Sequence, residues 1–491
     1  MRAQRAWRRA NGRAMNRSVV REFQAPGIRV PRGEVLVPAE LGDPVRGALS
    51  CPAAPLVAGS LRRKGYRVSF AAVPRFEDPA HHGDGAALYV VTCQQRDGGT
   101  AALAAAVAPD DRLAAAAARS AVEEWAGVLG TRRAISAGSP WCGGARQALE
   151  AVRRAISDSA GQGRVVHVHG QLAGPPETRA ELASRGAVLG GSLQDAVRGD
   201  VIVFPAHGVT PAMRAEAIQR GLTIVDATCP LVAWAQAEAG RLADRGEHVV
   251  LLGQENYPAA DGITSRAEGR ATVIATVAGT STLQVADARR VSYLLQPGIP
   301  IEDSAAAAAA LRSRFPAVRG PHPDSFCYAP SDRAETVRTV AAGSDLMLVL
   351  GDAAAADARQ LSALARDCGT RAQVIADPAE ITPAMLAGIS DIGIAESTSA
   401  RAGLAGEITA ALSGLGPLSV LRRQVSTQIT DNSVIPVRPG DAQAGDATPA
   451  AAVPPPPTAA PATASPDQAL PDQALPDQAL PAPGLPVPAA S

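Results

Sequence analysis

The chain has 491 residues, a formal net charge of zero at pH 7 and 46% hydrophobic residues, enough for about two to four domains with a sizeable core. Lys64 is its only lysine, and the balanced charge argues against a broad nucleic-acid surface. No apolar run is long enough for a membrane span, and the first twenty residues lack the apolar stretch of a secretory signal.

Residues 1–19 read as a disordered basic arm, and residues 20–130 as a small N-terminal α/β domain whose role is not legible. Within it, GEVLVPAE (33–40), YRVSFAAV (66–73) and ALYVVTCQQ (87–95) predict strands, and APLVAGSLRRKGY (54–66) predicts a helix. The Ala-rich run from Ala101 to Gly130, with Leu103, Val107, Leu113, Val122, Trp125 and Leu129, predicts helices packed on those strands. From residue 437 the chain turns to Pro, Ala, Asp and Gln, with PPPP and three copies of PDQAL, so 437–491 reads as a disordered tail with no catalytic role.

Between these ends one pattern recurs three times: a cysteine, a helix, then a strand. SPWCGGARQALEAVRRAI precedes RVVHVHG, TIVDATCPLVAWAQAEAGRLADRG precedes EHVVLLG, and DSFCYAPSDRAETVRTVAAG precedes DLMLVLG. Leu149, Val152 and Ile156 fall at helical spacing, while VVLL and LMLVL are the continuous apolar runs of parallel strands covered on both faces. The predicted fold is α/β, with three pseudo-equivalent modules at 131–229, 230–326 and 327–425 around a shared centre.

Cys142, Cys229 and Cys327 lie 87 and 98 residues apart (229 − 142 and 327 − 229), each at the start of a predicted helix. Helix N-termini favour thiolates, and three converging thiolates suit a soft metal or an iron-sulfur cluster. A zinc site completed by His207 is the weaker alternative, because zinc modules space their ligands far more tightly. The six cysteines are too scattered for a disulfide framework, which favours a reducing cytoplasm; Cys51 and Cys93 read as small buried hydrophobes, and Cys368 lies outside the triplet.

At these residues the chain resembles the 4-hydroxy-3-methylbut-2-enyl diphosphate reductases of the non-mevalonate isoprenoid pathway, over residues 132–418. The segment from Val201 to Val232 carries the family's Ala-His-Gly-Val and Asp-Ala-Thr-Cys-Pro-Leu-Val signatures intact, and PWCGGARQALE and SFCYAPSDRAE resemble its first and third cysteine motifs. The resemblance implies that Cys142, Cys229 and Cys327 hold three irons of a [4Fe-4S] cluster whose fourth iron meets the substrate hydroxyl. It also implies an oxidoreductase that removes an allylic hydroxyl to give isopentenyl and dimethylallyl diphosphate, with electrons from a ferredoxin or flavodoxin.

His207 and Ser399 match family positions that bind the diphosphate. Other positions depart from the pattern. The His-Asn pair reads Gly174 and Pro175, His-Pro-Glu reads Tyr257, Pro258 and Ala259, the threonine element reads Leu295 to Gly298, and Ser-Ser-Asn reads Ala355, Ala356 and Asp357. Ala259 removes the carboxylate that relays protons, and an Asp beside a diphosphate is expected to repel it. Candidate replacements are Glu255 and Asp261 for the carboxylate, and His167 and His169, two apart on one strand, for the imidazole. Arg146, Arg359 and Arg401 are further anion candidates, each also readable as a solvated surface charge. The alternative function is a divergent paralogue that keeps the cluster for another substrate or for a non-catalytic redox or structural role.

Overall fold

The computed structural model describes residues 19–78, 85–430 and 433–437. Apart from Val19 and Val437, the expected basic arm and Pro-rich tail lie outside the described residues. All described residues fall within one compact unit.

Six strands form an N-terminal mixed sheet: β1 (Arg21–Pro26), β2 (Glu34–Asp43), β3 (Gly47–Ser50), β4 (Arg67–Val73), β5 (Gly85–Gln94) and β6 (Thr100–Val107), in the order β1-β5-β6-β3-β2-β4. The strands and helix expected before residue 96 form, the helix as Ala54–Arg63. The Ala-rich run does not become helix throughout. Its first part is β6, paired antiparallel with β5 from Thr100 to Val107, and only Arg112–Ala126 is helical.

Alanine's helix preference is worth only tenths of a kcal/mol per residue. The Asp97–Gly98–Gly99 turn, in which Gln95 N donates to Gly99 O at 2.8 Å, instead closes a hairpin that places β6 in the middle of the sheet. Every residue from Ala101 to Val107 is buried there, and small side chains let layers approach from both faces. The following helix starts at Asp111, whose carboxylate accepts the Ala114 N–H at 3.0 Å. It buries Trp125, whose indole N–H donates to Ser60 Oγ at 3.0 Å.

From Arg132 to Arg422 the sheets are parallel. The first contains β8 (Val166–His169), β9 (Ala187–Gly191), β10 (Val201–Phe204) and β11 (Thr223–Asp226), in the order β11-β10-β8-β9. The second contains β12 (His248–Leu252), β13 (Ala271–Ile274) and β14 (Val291–Leu295), with β12 central. The third contains β7 (Arg132–Ser136), β15 (Leu346–Leu350), β16 (Arg371–Ile375), β17 (Asp391–Glu396) and β18 (Leu418–Arg422), in the order β16-β15-β17-β7-β18. Strand β7 thus crosses the expected module boundary: it precedes Cys142 in sequence but pairs with β17 and β18. A hairpin of β19 (Ser426–Thr430) and β20 (Ser433–Val437) closes the described chain.

The N-terminal layer shares a core with the third sheet. Leu56, Leu61, Leu103 and Trp125 belong to the same buried cluster as Leu346, Leu348, Ile392 and Leu404. Arg63 donates to Ala379 O at 2.5 Å, and Gln95 Nε2 to Ser413 O at 2.8 Å. Cys51 is buried and its thiol is pushed up to about 12; Cys93, pushed up to about 11 by burial, donates to Gly414 O at 3.3 Å. At the join, Arg132 is buried and pushed down to about 10, with its guanidinium bonded to the Val128 and Gly130 carbonyls.

A β-carbon on Gly59 would sit 2.0 Å from the Ala379 carbonyl oxygen, so only glycine permits this close approach. Gly59→Val is therefore expected to lower the unfolding free energy by about 1–3 kcal/mol, the usual cost of overpacking, as read by urea denaturation of the whole chain. Parent-like stability would contradict a tightly packed junction.

Candidate metal centre

In parallel α/β sheets the strand carboxyl ends open into loops and helix N-termini, where free N–H groups gather. The expected site residues follow such ends. His169 ends β8, His207 lies three residues beyond β10 and Cys229 three beyond β11; Tyr257 follows β12, Gly298 follows β14, Cys142 follows β7 and Ser399 follows β17. Cys327 is reached differently, through a bridge pairing Arg319 with Ser292 and a short turn at Pro323–Ser325.

Cys142 and Cys229 occupy the N-cap positions of helices Gly143–Ser159 and Pro230–Asp244. The Cys142 sulfur accepts the Ala145 N–H at 3.4 Å, and the Cys229 N–H donates to Ala206 O at 2.9 Å. Cys327 stands two residues before helix Ala329–Ala342, with the Gly298 and Ala329 N–H groups near enough to favour its thiolate. All three thiols are free.

A β-carbon on Gly144 would lie 3.0 Å from the Cys229 sulfur and 3.9 Å from the Cys142 sulfur, so these two sulfurs are separated by less than the sum of those distances. Burial pushes the Cys327 thiol up; the two N–H donors pull it down, and charge on Cys142 and Cys229 adds to the rise. Tyr257 is raised first by burial, then by Cys142 and Cys327. The three sulfurs and the phenol therefore lie within electrostatic reach of one another. Among the described residues, no three His, Cys, Asp or Glu side chains gather tightly enough to hold a single metal ion.

Beside the thiols, the Tyr257 hydroxyl lies 3.1 Å from His207 Nε2, with ring centroids 4.9 Å apart. Burial holds the His207 imidazole below its ordinary range. Sequence reasoning counted Tyr257 only as a lost histidine; the signal available was that a phenol also donates and accepts hydrogen bonds. Ala259 is fully buried, whereas Glu255 and Asp261 are exposed on either side of it.

The two strand histidines part company. His167 is buried and pairs through Nε2 with Asp200 Oδ2 at 3.0 Å, towards the amino ends of β8 and β10 and away from the cysteine helices. That placement corrects its reading as a substitute imidazole: it serves a buried polar pair. His169 stands at the carboxyl end of β8, and its buried Nδ1 has no hydrogen-bond partner.

Ser399 Oγ accepts the Asp352 N–H at 2.9 Å and lies 2.7 Å from Ser397 Oγ. Asp357 holds this loop: one carboxylate oxygen takes the Thr398 N–H at 2.5 Å and the Thr398 hydroxyl at 2.6 Å, and the other takes the Ala358 N–H at 2.9 Å. The expected repulsion by Asp357 is thereby reduced, because its charge is spent on three internal donors. Of the candidate arginines, Arg401 forms a two-pronged pair with Glu407, Arg146 donates to Trp141 O at 3.2 Å and Arg359 is exposed on its helix.

The family model described as LytB protein matches residues 134–413. The chain is 35% identical over 292 residues to 4-hydroxy-3-methylbut-2-enyl diphosphate reductase 2 of Mycobacterium bovis, covering 59% of this chain and 88% of that protein. It is 32% identical over 280 residues to the enzyme of that name from Azoarcus sp. strain BH72, covering 57% and 89%. The solved E-1-hydroxy-2-methyl-but-2-enyl-4-diphosphate reductase of Plasmodium falciparum superposes with a TM-score of 0.52 at 20% identity, over 60% of this chain and 92% of that one, a likeness of fold. With residues 134–413, more than half its length, matched by the family model, the chain belongs to the LytB family.

Proposed function

We propose that the chain is an iron-sulfur oxidoreductase that converts 4-hydroxy-3-methylbut-2-enyl diphosphate to isopentenyl and dimethylallyl diphosphate, in a cytoplasm that supplies ferredoxin or flavodoxin. The observation that carries this reading is the approach of the Cys142 and Cys229 sulfurs across Gly144, with Cys327 close enough to feel both. Among the described residues no helix is long and apolar enough to cross a membrane.

The donor set suits a cluster better than one ion. Three thiolates on a single tetrahedral zinc, with metal–sulfur bonds near 2.3 Å, must crowd to about 3.8 Å from one another. On a cluster each binds a different iron and they stand further apart, in keeping with the looser grouping of these side chains. Cys142, Cys229 and Cys327 would hold a [4Fe-4S] cluster, which when bound supplies electrons and a Lewis-acidic iron for the substrate hydroxyl.

The chain's own residues supply orientation and protons. If the Tyr257 hydroxyl donates to His207 Nε2, the imidazole is fixed with its proton on Nδ1, leaving that nitrogen to donate to a diphosphate oxygen. Ser399, held by the Asp352 N–H, offers its hydroxyl to the same anion, and the unpaired Nδ1 of His169 is a third group of the right chemistry. Loss of the allylic hydroxyl as water consumes two electrons from the donor protein and two protons. With Ala259 in place of the family carboxylate, the hydrogen-bonded Tyr257 hydroxyl and His207 imidazole are the proton-bearing pair beside the thiols. The paralogue alternative is not favoured, since Tyr257 and the internally hydrogen-bonded Asp357 offset part of the polar loss that motivated it.

Anaerobic reconstitution should give a brown chain that turns over the hydroxymethylbutenyl diphosphate with a reduced viologen; a loaded chain that neither binds nor reduces it would overturn the reading. Cys229→Ser is expected to lose most of the visible absorbance and bound iron, whereas Cys368→Ser, at the exposed end of helix Ala356–Asp367, should keep both. Tyr257→Phe leaves the buried His207 nitrogen without its partner. It should cost about 1–2 kcal/mol of stability in urea and raise KM for the diphosphate.

His207 also makes a pH prediction. Its folded value lies below the unfolded value of about 6.5, so its contribution is present above that value and is lost as pH falls towards the folded one. Between pH 7 and 5 the parent should lose more stability than His207→Gln, and equal losses would contradict a buried neutral imidazole.

A further inference from the structure

Arg333 lies in the third cysteine motif, SFCYAPSDRAE, where the sequence assigns it no role, yet its side chain touches two other loops of the site. It lies in the first turns of helix Ala329–Ala342, six residues after Cys327 (333 − 327). Its Nη1 donates to Ser139 O at 3.0 Å and its Nη2 to Glu396 O. Ser139 opens the turn that ends at Cys142, its Oγ accepting the Trp141 N–H at 3.3 Å. Glu396 ends β17 and leads into Ser397, Thr398 and Ser399.

The guanidinium is largely buried, and burial lowers its pKa while the Asp357 and Glu396 carboxylates support its charge. Asp357 in turn grips Thr398, next to Ser399. A planar fork can hold two carbonyls on separate loops at fixed spacing, which a flexible ammonium cannot. An arginine kept charged at the cost of desolvation, with two donors on backbone carbonyls from loops 257 residues apart (396 − 139), is a poor choice for simple packing, where an apolar side chain would do as well.

We propose that Arg333 is a positioning residue that clamps the Cys142 loop to the Ser399 loop from the base of the Cys327 helix, setting two of the metal-binding sulfurs in register with the residue that meets the substrate's anionic tail. This rests on the functional reading above for what the two loops hold, but the clamp itself is a property of the chain. Without it, the two segments still meet through the parallel pairing of β7 with β17, the Ala137 N–H to Ile394 O bond at 2.8 Å and the packing of Ala137 with Ala395, all of which stop short of Ser139 and Glu396.

The test compares the full-length parent with Arg333→Met and Arg333→Lys. In the metal-free chains, hydrogen–deuterium exchange is followed in peptides covering 137–142 and 396–400. Loss of both bonds in Arg333→Met should speed exchange about tenfold or more in both peptides, while peptides in β12 and β14 match the parent. Parent-like exchange in either loop overturns the clamp. If Arg333→Met does not fold, Arg333→Lys decides: loosening of about threefold or more in either loop supports the clamp, and parent-like exchange in both overturns it.

In reconstituted protein, Arg333→Met should release iron to a ferrous chelator about threefold faster or more, with KM for the diphosphate rising by a larger factor than kcat falls. Unchanged iron release and KM would remove the positioning role. Should the parent itself take up no iron, the metal reading fails while the exchange comparison still decides the clamp.

Discussion

Everything at the candidate centre depends on one property of parallel sheets: all carboxyl ends of a sheet lie on the same side, so the loops and helix N-termini that follow them crowd into a shared region. Three sheets in this chain apply the rule, and loops 257 positions apart (396 − 139) are bridged by one arginine as a result. The glycine between two of the sulfurs shows how close the approach is. Gly144 sits at the second position of the Cys142 helix, and any side chain there would press on Cys229. The free N–H groups that accompany such ends serve the sulfurs as well: Ala145 donates to Cys142, and Gly298 and Ala329 favour the Cys327 thiolate.

The polar shell around the thiols is altered more than it is emptied. Tyr257 stands where the family pattern has a histidine but pairs with His207, and the backbone N–H of Gly298, where the pattern has a threonine, favours the Cys327 thiolate. Asp357, in place of an asparagine, accepts three internal hydrogen bonds that occupy its carboxylate. Each change exchanges a side-chain donor for a different interaction, and the Asp357 bonds tie its helix to the Ser399 loop. The N-terminal layer adds to that rigidity from below, since its helices share a core with the strands that carry the Ser399 loop.

The sequence by itself determined the parts governed by local pattern. The apolar runs at 248–252 and 346–350 are strands because four or five consecutive apolar residues need cover on both faces, and Cys142 and Cys229 cap helices because the amphipathic stretches begin directly after them. The triplet of cysteines and the intact His207 segment were legible for the same reason: signature and spacing are properties of the chain order.

What only the tertiary structure decided is whatever depends on neighbours distant in sequence. The alanines of 101–107 are strand because a hairpin placed them mid-sheet, against their local preference. His167 and His169 look alike in sequence, and separate because Asp200, 33 residues on, claims the first. Strand β7 joined the third sheet, and Arg333 came to bridge two loops, through pairings that no local window contains. The physical reason is the same throughout: periodicity and propensity report which face of an element is apolar, while the identity of the partner across that face is fixed only when the whole core closes.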